Sequence, residues 1–309
     1  MERWEQQPMA VFLLRCRLMC ARRLVALALL FVASADIAEA HSGRCQRIVS
    51  LSPSLTEMLF ALGLGPNVVG VTRFCRYPTE ANNLPKVGGF YDVALEAIWS
   101  LKPSLVVSLE EGADLSRSAA QLGFSFLKVD HRSVKGIKQS LIELGSICGV
   151  PENAARVVNT MQEEEREITS RVALAPRYRV LVVVGRMHER GAATSLFVSG
   201  VDGYYTDILA LIGVENVNKK ATVAVPMLSA EGLLSLNPDV IVEIRNQDDP
   251  QSDRSVEKLW AAYPTITAVK QHRVFALSED FASIPGVRYP RLARELARRI
   301  HPERFVNDR

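Results

Sequence analysis

The sequence predicts an α/β protein of two related lobes with mostly parallel sheets flanked by helices, the lobes bridged by one long α-helix. Three observations carry that expectation. Short uncharged apolar runs alternate with segments of helical period, the pattern of strands covered on both faces. Three blocks of the first half recur in the same order in the second, at offsets of about 135 to 150 residues, the mark of a duplicated unit. Between the halves lies a charged, amphipathic stretch with a proline at its start.

Composition agrees with a two-domain globular chain. Of 309 residues, 48% are hydrophobic and 23% charged, enough to bury a core in each half and to exclude disorder. Basic and acidic residues number 37 and 34, a formal net charge of +3. That balance gives no whole-surface field for a polyanion, so no nucleic-acid partner is expected.

Residues 1–40 read as an export address. Arg15, Arg17, Arg22 and Arg23 precede the apolar run Leu24 to Ala33, and small residues end in Ala38-Glu39-Ala40. A basic start, a short apolar centre and an A-x-A site describe a secretory signal peptide cleaved near Ala40. The run falls short of the roughly 20 apolar residues of a membrane span. A retained N-terminal anchor is the alternative, and Met9 and Met19 are alternative starts. Cys20 precedes the apolar run, which is the wrong side for a lipid-bearing cysteine. The expected location is the periplasm. Of the remaining cysteines, Cys45, Cys75 and Cys148, an oxidising compartment permits one pair, and free thiols are the other option.

The first lobe is assigned to 41–150. It opens with the strand Arg47 to Ser52 and a helix that Gly63 ends. Thr56-Glu57-Met58-Leu59-Phe60-Ala61-Leu62-Gly63 recurs as Thr206-Asp207-Ile208-Leu209-Ala210-Leu211-Ile212-Gly213. Glu96 to Val107, a short helix stopped by Pro103 before a buried strand, recurs as Glu231 to Val242 with Pro238. The strand Phe126 to Asp130 pairs with Val274 to Ser278. The linking helix is assigned to 151–173, with Ala154, Ala155, Val158, Met161 and Ile168 on one face and Glu163 to Glu167 on the other. An ordinary surface helix of one lobe is its alternative. The second lobe is assigned to 174–309, beginning with the strand Arg179 to Gly185.

Marks of catalysis are sparse. There is no G-x-S-x-G elbow, H-E-x-x-H helix or Walker A loop. The five histidines show no metal-ligand spacing. His131 and His188 follow strands and are placed in loops that face a cleft, as plain polar residues or as an axial ligand. The loops after strands offer aromatic and thioether surface instead: Phe74, Tyr77, Phe90, Glu110 and Glu111 in the first half, and Met187, Val225, Asp280 and Phe281 in the second. Such faces suit a bulky, flat ligand in the cleft between two lobes.

The runs Arg47-Ile48-Val49-Ser50-Leu51-Ser52-Pro53-Ser54-Leu55-Thr56-Glu57, Val69-Gly70-Val71-Thr72, Tyr77-Pro78, Pro85-Lys86-Val87-Gly88-Gly89 and Leu95-Glu96-Ala97-Ile98 resemble the periplasmic vitamin B12/iron-chelate substrate-binding proteins of ABC importers. The likeness extends through Phe197-Val198-Ser199-Gly200 to Pro285-Gly286-Val287-Arg288. It implies the class III periplasmic binding protein fold, of helical-backbone type. It implies a non-enzymatic solute-binding component that captures a metal-chelate cofactor and delivers it to an ABC permease with its ATPase. A corrinoid is the first reading for the ligand; haem or a ferric siderophore is the alternative, and no cofactor is permanently bound. A chelatase or metal-cluster enzyme on a similar fold is the rival from another class, with Cys75 and His131 its nominated pair. The resemblance implies ligand contacts at Phe74, Tyr77 and Asp280. It places permease-docking carboxylates at Asp114, with Glu111 second, and at Glu231. Two tryptophan positions of the cobalamin-binding branch fall near Leu109 and Val225. Nothing signals an oligomer, so a monomer is expected.

Overall fold

The computed structural model describes residues 44–189, 192–201, 203–219, 223–245 and 256–306. The leader assigned to 1–40, with its cleavage point near Ala40, lies outside them.

The first sheet contains β1 (Ile48–Ser50), β2 (Val68–Val71), β3 (Leu105–Leu109) and β4 (Ser125–Val129), all parallel, in the order β2-β1-β3-β4. Its helices are α1 (Pro53–Ala61), α2 (Leu95–Ser100), α3 (Ser116–Leu122) and α4 (Val134–Ile147). The strands are short apolar runs because both faces are covered: β3 is buried at all five positions. The order reverses direction at β1, which opens a crevice beyond the carboxyl ends of β1 and β3.

Helix α5 (Pro151–Val172) then carries the chain onward for 22 residues, about 33 Å. Proline stands at its first turn, where its missing N–H costs nothing. Ala154, Val158, Met161, Ile168 and Val172 form its buried stripe.

The second sheet holds β5 (Arg179–Glu189), β6 (Ala192–Val198), β7 (Glu215–Asn216), β8 (Met227–Ser229), β9 (Val240–Ile244) and β10 (Val274–Leu277). The main path is β10-β9-β5-β6-β8, with β7 paired to β5. Its helices are α6 (Tyr204–Leu211), α7 (Ala230–Leu236), α8 (Val256–Trp260), α9 (Thr267–Lys270) and α10 (Tyr289–Ile300). This sheet is mixed. β9 and β10 run parallel to β5, whereas β6 pairs antiparallel with both β5 and β8. The expectation of a loop after Gly185 is therefore corrected. Arg186, Met187 and His188 continue β5, because β6 turns back against them as a hairpin.

The repeat has a structural counterpart in both halves. α1 and α6 each end at a left-handed glycine, Gly63 with φ +79° and Gly213 with φ +74°, the conformation only glycine adopts freely. α2 and α7 each give way to a left-handed residue directly before proline, Lys102 and Asn237. Cys45 and Cys148 form a disulfide, leaving Cys75 free and buried, so the open question of pairing is answered. The bond ties the first described residues to the turn that enters α5.

Candidate functional site

The carboxyl ends of both sheets face a cavity of about 400 Å³. Phe90, Leu109, Glu111, His131 and Arg132 supply its first wall. Val184, Tyr204, Tyr205, Val225 and Ile244 supply the second, and Ser283 and Pro285 the floor. Leu109 ends β3 and His131 follows β4; Val184 lies in β5 and Ile244 ends β9. Strand ends, the places where loops converge, thus set most of the wall.

Most of the lining is apolar, and its few polar groups are held in place. Tyr205 Oη donates to the Ala282 carbonyl at 2.8 Å, and Tyr204 Oη reaches the Ile284 carbonyl at 3.4 Å. Burial pushes both phenols well above their ordinary range, so they stay protonated and face the cavity as rings. The two rings meet edge to face, 5.1 Å between centroids.

His131 is 2% exposed, and its Nδ1 lies 3.1 Å from both the Pro285 carbonyl and Ser54 Oγ. A carbonyl only accepts, so Nδ1 carries the proton. Burial holds the ring down at about 4, although the Pro285 carbonyl and Asp130 pull the other way. His131 is therefore neutral at pH 7. Arg132, beside it, is already engaged: it donates to Asp130 at 2.7 Å and Glu110 at 3.1 Å and lies 3.4 Å from Glu111. Three carboxylates surround this one cation, so the mouth carries a net negative charge and offers little pull on an anion.

The sequence-predicted residues divide into three groups. Phe90 and Val225 come together in the cavity lining. Tyr77, Asp280 and Phe281 gather around Arg288 instead. Its guanidinium lies 4.1 Å from the Tyr77 ring centroid and 5.8 Å from that of Phe281, and Asp280 accepts from it at 2.9 Å. Phe74, Glu110 and Met187 lie outside the lining: Phe74 is exposed under Arg73, Glu110 pairs with Arg132, and Met187 stands half-exposed on β5. Leu109, a position the resemblance marks for tryptophan, lines the cavity beside Glu111.

Of the carboxylates placed for docking, Asp114 and Glu231 are both exposed. Asp114 accepts from the Ser116 backbone at 3.0 Å and hydroxyl at 2.6 Å, and these bonds lower its carboxyl. Glu231 lies in the first turn of α7, whose cap is Ser229, bonded to Gly232 N at 3.2 Å. Cys75 is enclosed by the Thr56 and Thr72 hydroxyls at 3.2 and 3.1 Å. No group of three or more His, Cys, Asp or Glu among the described residues is arranged to hold a metal ion.

Sequence reasoning missed Tyr204, Tyr205, Ser283 and Pro285. A signal for the tyrosines was available. They open the repeated helix, directly ahead of the matching block that begins at Thr206, at the positions Ser54 and Leu55 hold in the first copy.

Comparison with known proteins places these features in context. The family described as periplasmic binding protein matches residues 48–281. The chain is 32% identical over 265 residues to an uncharacterised ABC transporter substrate-binding lipoprotein of Bacillus subtilis (strain 168), covering 84% of this chain and 81% of that one. It is 28% identical over 262 residues to the vitamin B12-binding protein of Pectobacterium carotovorum subsp. carotovorum (strain PC1), covering 82% and 88%. The solved periplasmic haem-binding protein of Roseiflexus sp. RS-1, in apo form, shares the fold with a TM-score of 0.72 over 84% of this chain and 99% of that one, at 24% identity.

Proposed function

The chain belongs to the periplasmic binding protein family, and from that premise we propose that it is the extracytoplasmic solute-binding component of an ABC importer. Its cargo is a metal-chelate cofactor, a corrinoid first, taken up without any bond being made or broken and passed to a membrane permease with its ATPase. The cleft carries this reading: an apolar slot with the Phe90, Tyr204 and Tyr205 rings in its walls and few polar groups, among them the buried His131 Nε2, which has no hydrogen-bond partner among the described residues. Such a lining suits the face of a large ring system and poorly rewards a small anion.

Haem is the second reading, and Leu109 and Val225 favour it. Both line the cavity as aliphatic walls, where the cobalamin-binding branch is expected to carry tryptophan. A polyanionic ferric siderophore is served less well, because Arg132 is already neutralised by three carboxylates.

In this reading the chain acts as a monomer divided at 41–150, 151–173 and 174–309, after loss of the leader at 1–40. Phe90 and Val225 touch the ligand, and Asp114 and Glu231 register the two lobes on the permease through their exposed carboxylates.

Spectral titration of the purified protein with cyanocobalamin, haemin and a ferric siderophore tests the cargo. One chromophore shifts at micromolar concentration and the others do not; silence from all three removes the metal-chelate reading.

A further inference from the structure

Arg288, directly ahead of α10, is satisfied from both lobes at once. Its Nε donates to Glu57 Oε2 at 2.8 Å, and its Nη1 donates to Asp280 Oδ1 at 2.9 Å. Glu57 belongs to α1 of the first lobe, and Asp280 follows β10 of the second. Tyr77, from the loop after β2, completes the first-lobe side with its ring under the guanidinium at 4.1 Å. The Glu57 and Arg288 side chains are 1% and 8% exposed. At such burial either charge without the other is heavily penalised, so the contact is made whole or the lobes part there.

The same short segment carries the cavity floor. Ser283 and Pro285 line the cavity. The Pro285 carbonyl accepts from His131 at 3.1 Å, and Gly286 lies flat against Ser54. Floor and bolt are therefore three residues apart on one strap, which is held by Tyr204 of its own lobe at Ile284 and reaches the first lobe through His131, Ser54 and Glu57.

We infer that Arg288 is a positioning residue for ligand capture. With Glu57 it clamps the floor Ser283–Pro285 against the first lobe, so the cleft is set to its working width before a ligand arrives. This rests on the reading of the cleft as the ligand site, but the clamp itself is a property of the ligand-free protein. A preset cleft spares the ligand the cost of ordering the two walls. Losing the clamp lowers the fraction of molecules in the competent geometry, and the apparent Kd rises by the inverse of that fraction. Tyr77 and Asp280 then serve the clamp and not the ligand.

The test measures the inter-lobe distance without ligand, by pulsed electron resonance between nitroxides on Gln121→Cys and Lys270→Cys, both exposed and on opposite lobes. The parent is expected to give one narrow distribution, Glu57→Gln and Arg288→Gln a broad one, and Asp280→Asn an intermediate width. Asp280→Asn leaves the buried pair intact and remains informative if the others fold poorly. Affinity for whichever of cyanocobalamin and haemin the parent binds should fall about tenfold in Arg288→Gln if the competent fraction drops to about a tenth. Leu233→Ala, a core variant away from the strap, should lose thermal stability and keep both the narrow distribution and the affinity. Unchanged distributions in Arg288→Gln and Asp280→Asn overturn the clamp. So does an affinity loss that Leu233→Ala reproduces. Failure of every chelate to bind the parent removes the ligand reading alone, since the distance measurement needs no ligand.

Discussion

Gly286 lies against Ser54 so closely that a Cβ added at 286 would sit 3.2 Å from the Ser54 Cβ and 3.3 Å from its Cα. The glycine is there for approach, since its φ is not in the left-handed region. Gly286→Ala forces a small retreat and Gly286→Val a larger one. Overpacking of this kind costs about 1–3 kcal/mol, and valine should lie at the upper end. Urea denaturation of the three proteins measures it, and equal midpoints would mean the strap floats free of α1.

Acid should weaken the fold through His131. Its folded value of about 4 lies below the ordinary 6.5, so the unfolded chain takes the proton first as pH drops. The contribution is complete above pH 6.5 and drains away between there and about 4, reaching roughly 3 kcal/mol. His301 acts in the same direction: burial lowers its ring, which is fully enclosed and stacked on Tyr178. Stability measured from pH 7 to pH 4 should fall less steeply in His131→Gln, and parallel curves would remove His131 as a source.

Reduction of the Cys45–Cys148 bond should destabilise the protein by about 2–5 kcal/mol, because it closes a loop spanning 103 residues. Cys45→Ser with Cys148→Ser reproduces the effect without a reductant. Cys75→Ser, inside the first core and hydrogen-bonded to Thr56 and Thr72, tests thiol packing separately.

Phe90→Ala should weaken chelate binding roughly tenfold, the worth of a partly buried aromatic face, with little change in melting temperature. Phe74→Ala, outside the cavity lining, should leave the affinity as it is. Isothermal titration of both variants against cyanocobalamin and haemin decides, and equal losses would enlarge the site to include the outer loop.

Glu231→Ala combined with Asp114→Ala should weaken capture by the permease in detergent while chelate affinity stays unchanged. Undiminished capture would reduce the two carboxylates to local roles at the starts of α7 and α3.

The architecture was legible because it is written redundantly. Val106, Val107, Val180, Leu181 and Val182 are apolar without alternation, as strands covered on both faces must be. Gly63 and Gly213, and Pro103 and Pro238, punctuate both copies alike. The hairpin of β5 and β6 was harder to read, since Arg186 and Met187 resemble loop residues until Glu243 and Trp260 are seen to receive the arginine. The site was legible only in part. Phe90 and Val225 announce themselves as aromatic and apolar loop residues. Asp280 and Tyr77 share that signature but belong to Arg288, a partnership 231 residues long on its Glu57 side that no local pattern encodes. Tyr204 and Tyr205 stand at the head of a helix, and only the meeting of two sheets brings their rings to a cavity.

The two sheets share no strand, and the backbone passes from one to the other through α5. Each wall of the cleft is thus built mainly on a sheet of its own. A substitution that reshapes one wall need not be compensated in the other, so such a chain is free to drift in ligand preference one face at a time. Selection can explore new cargo by halves.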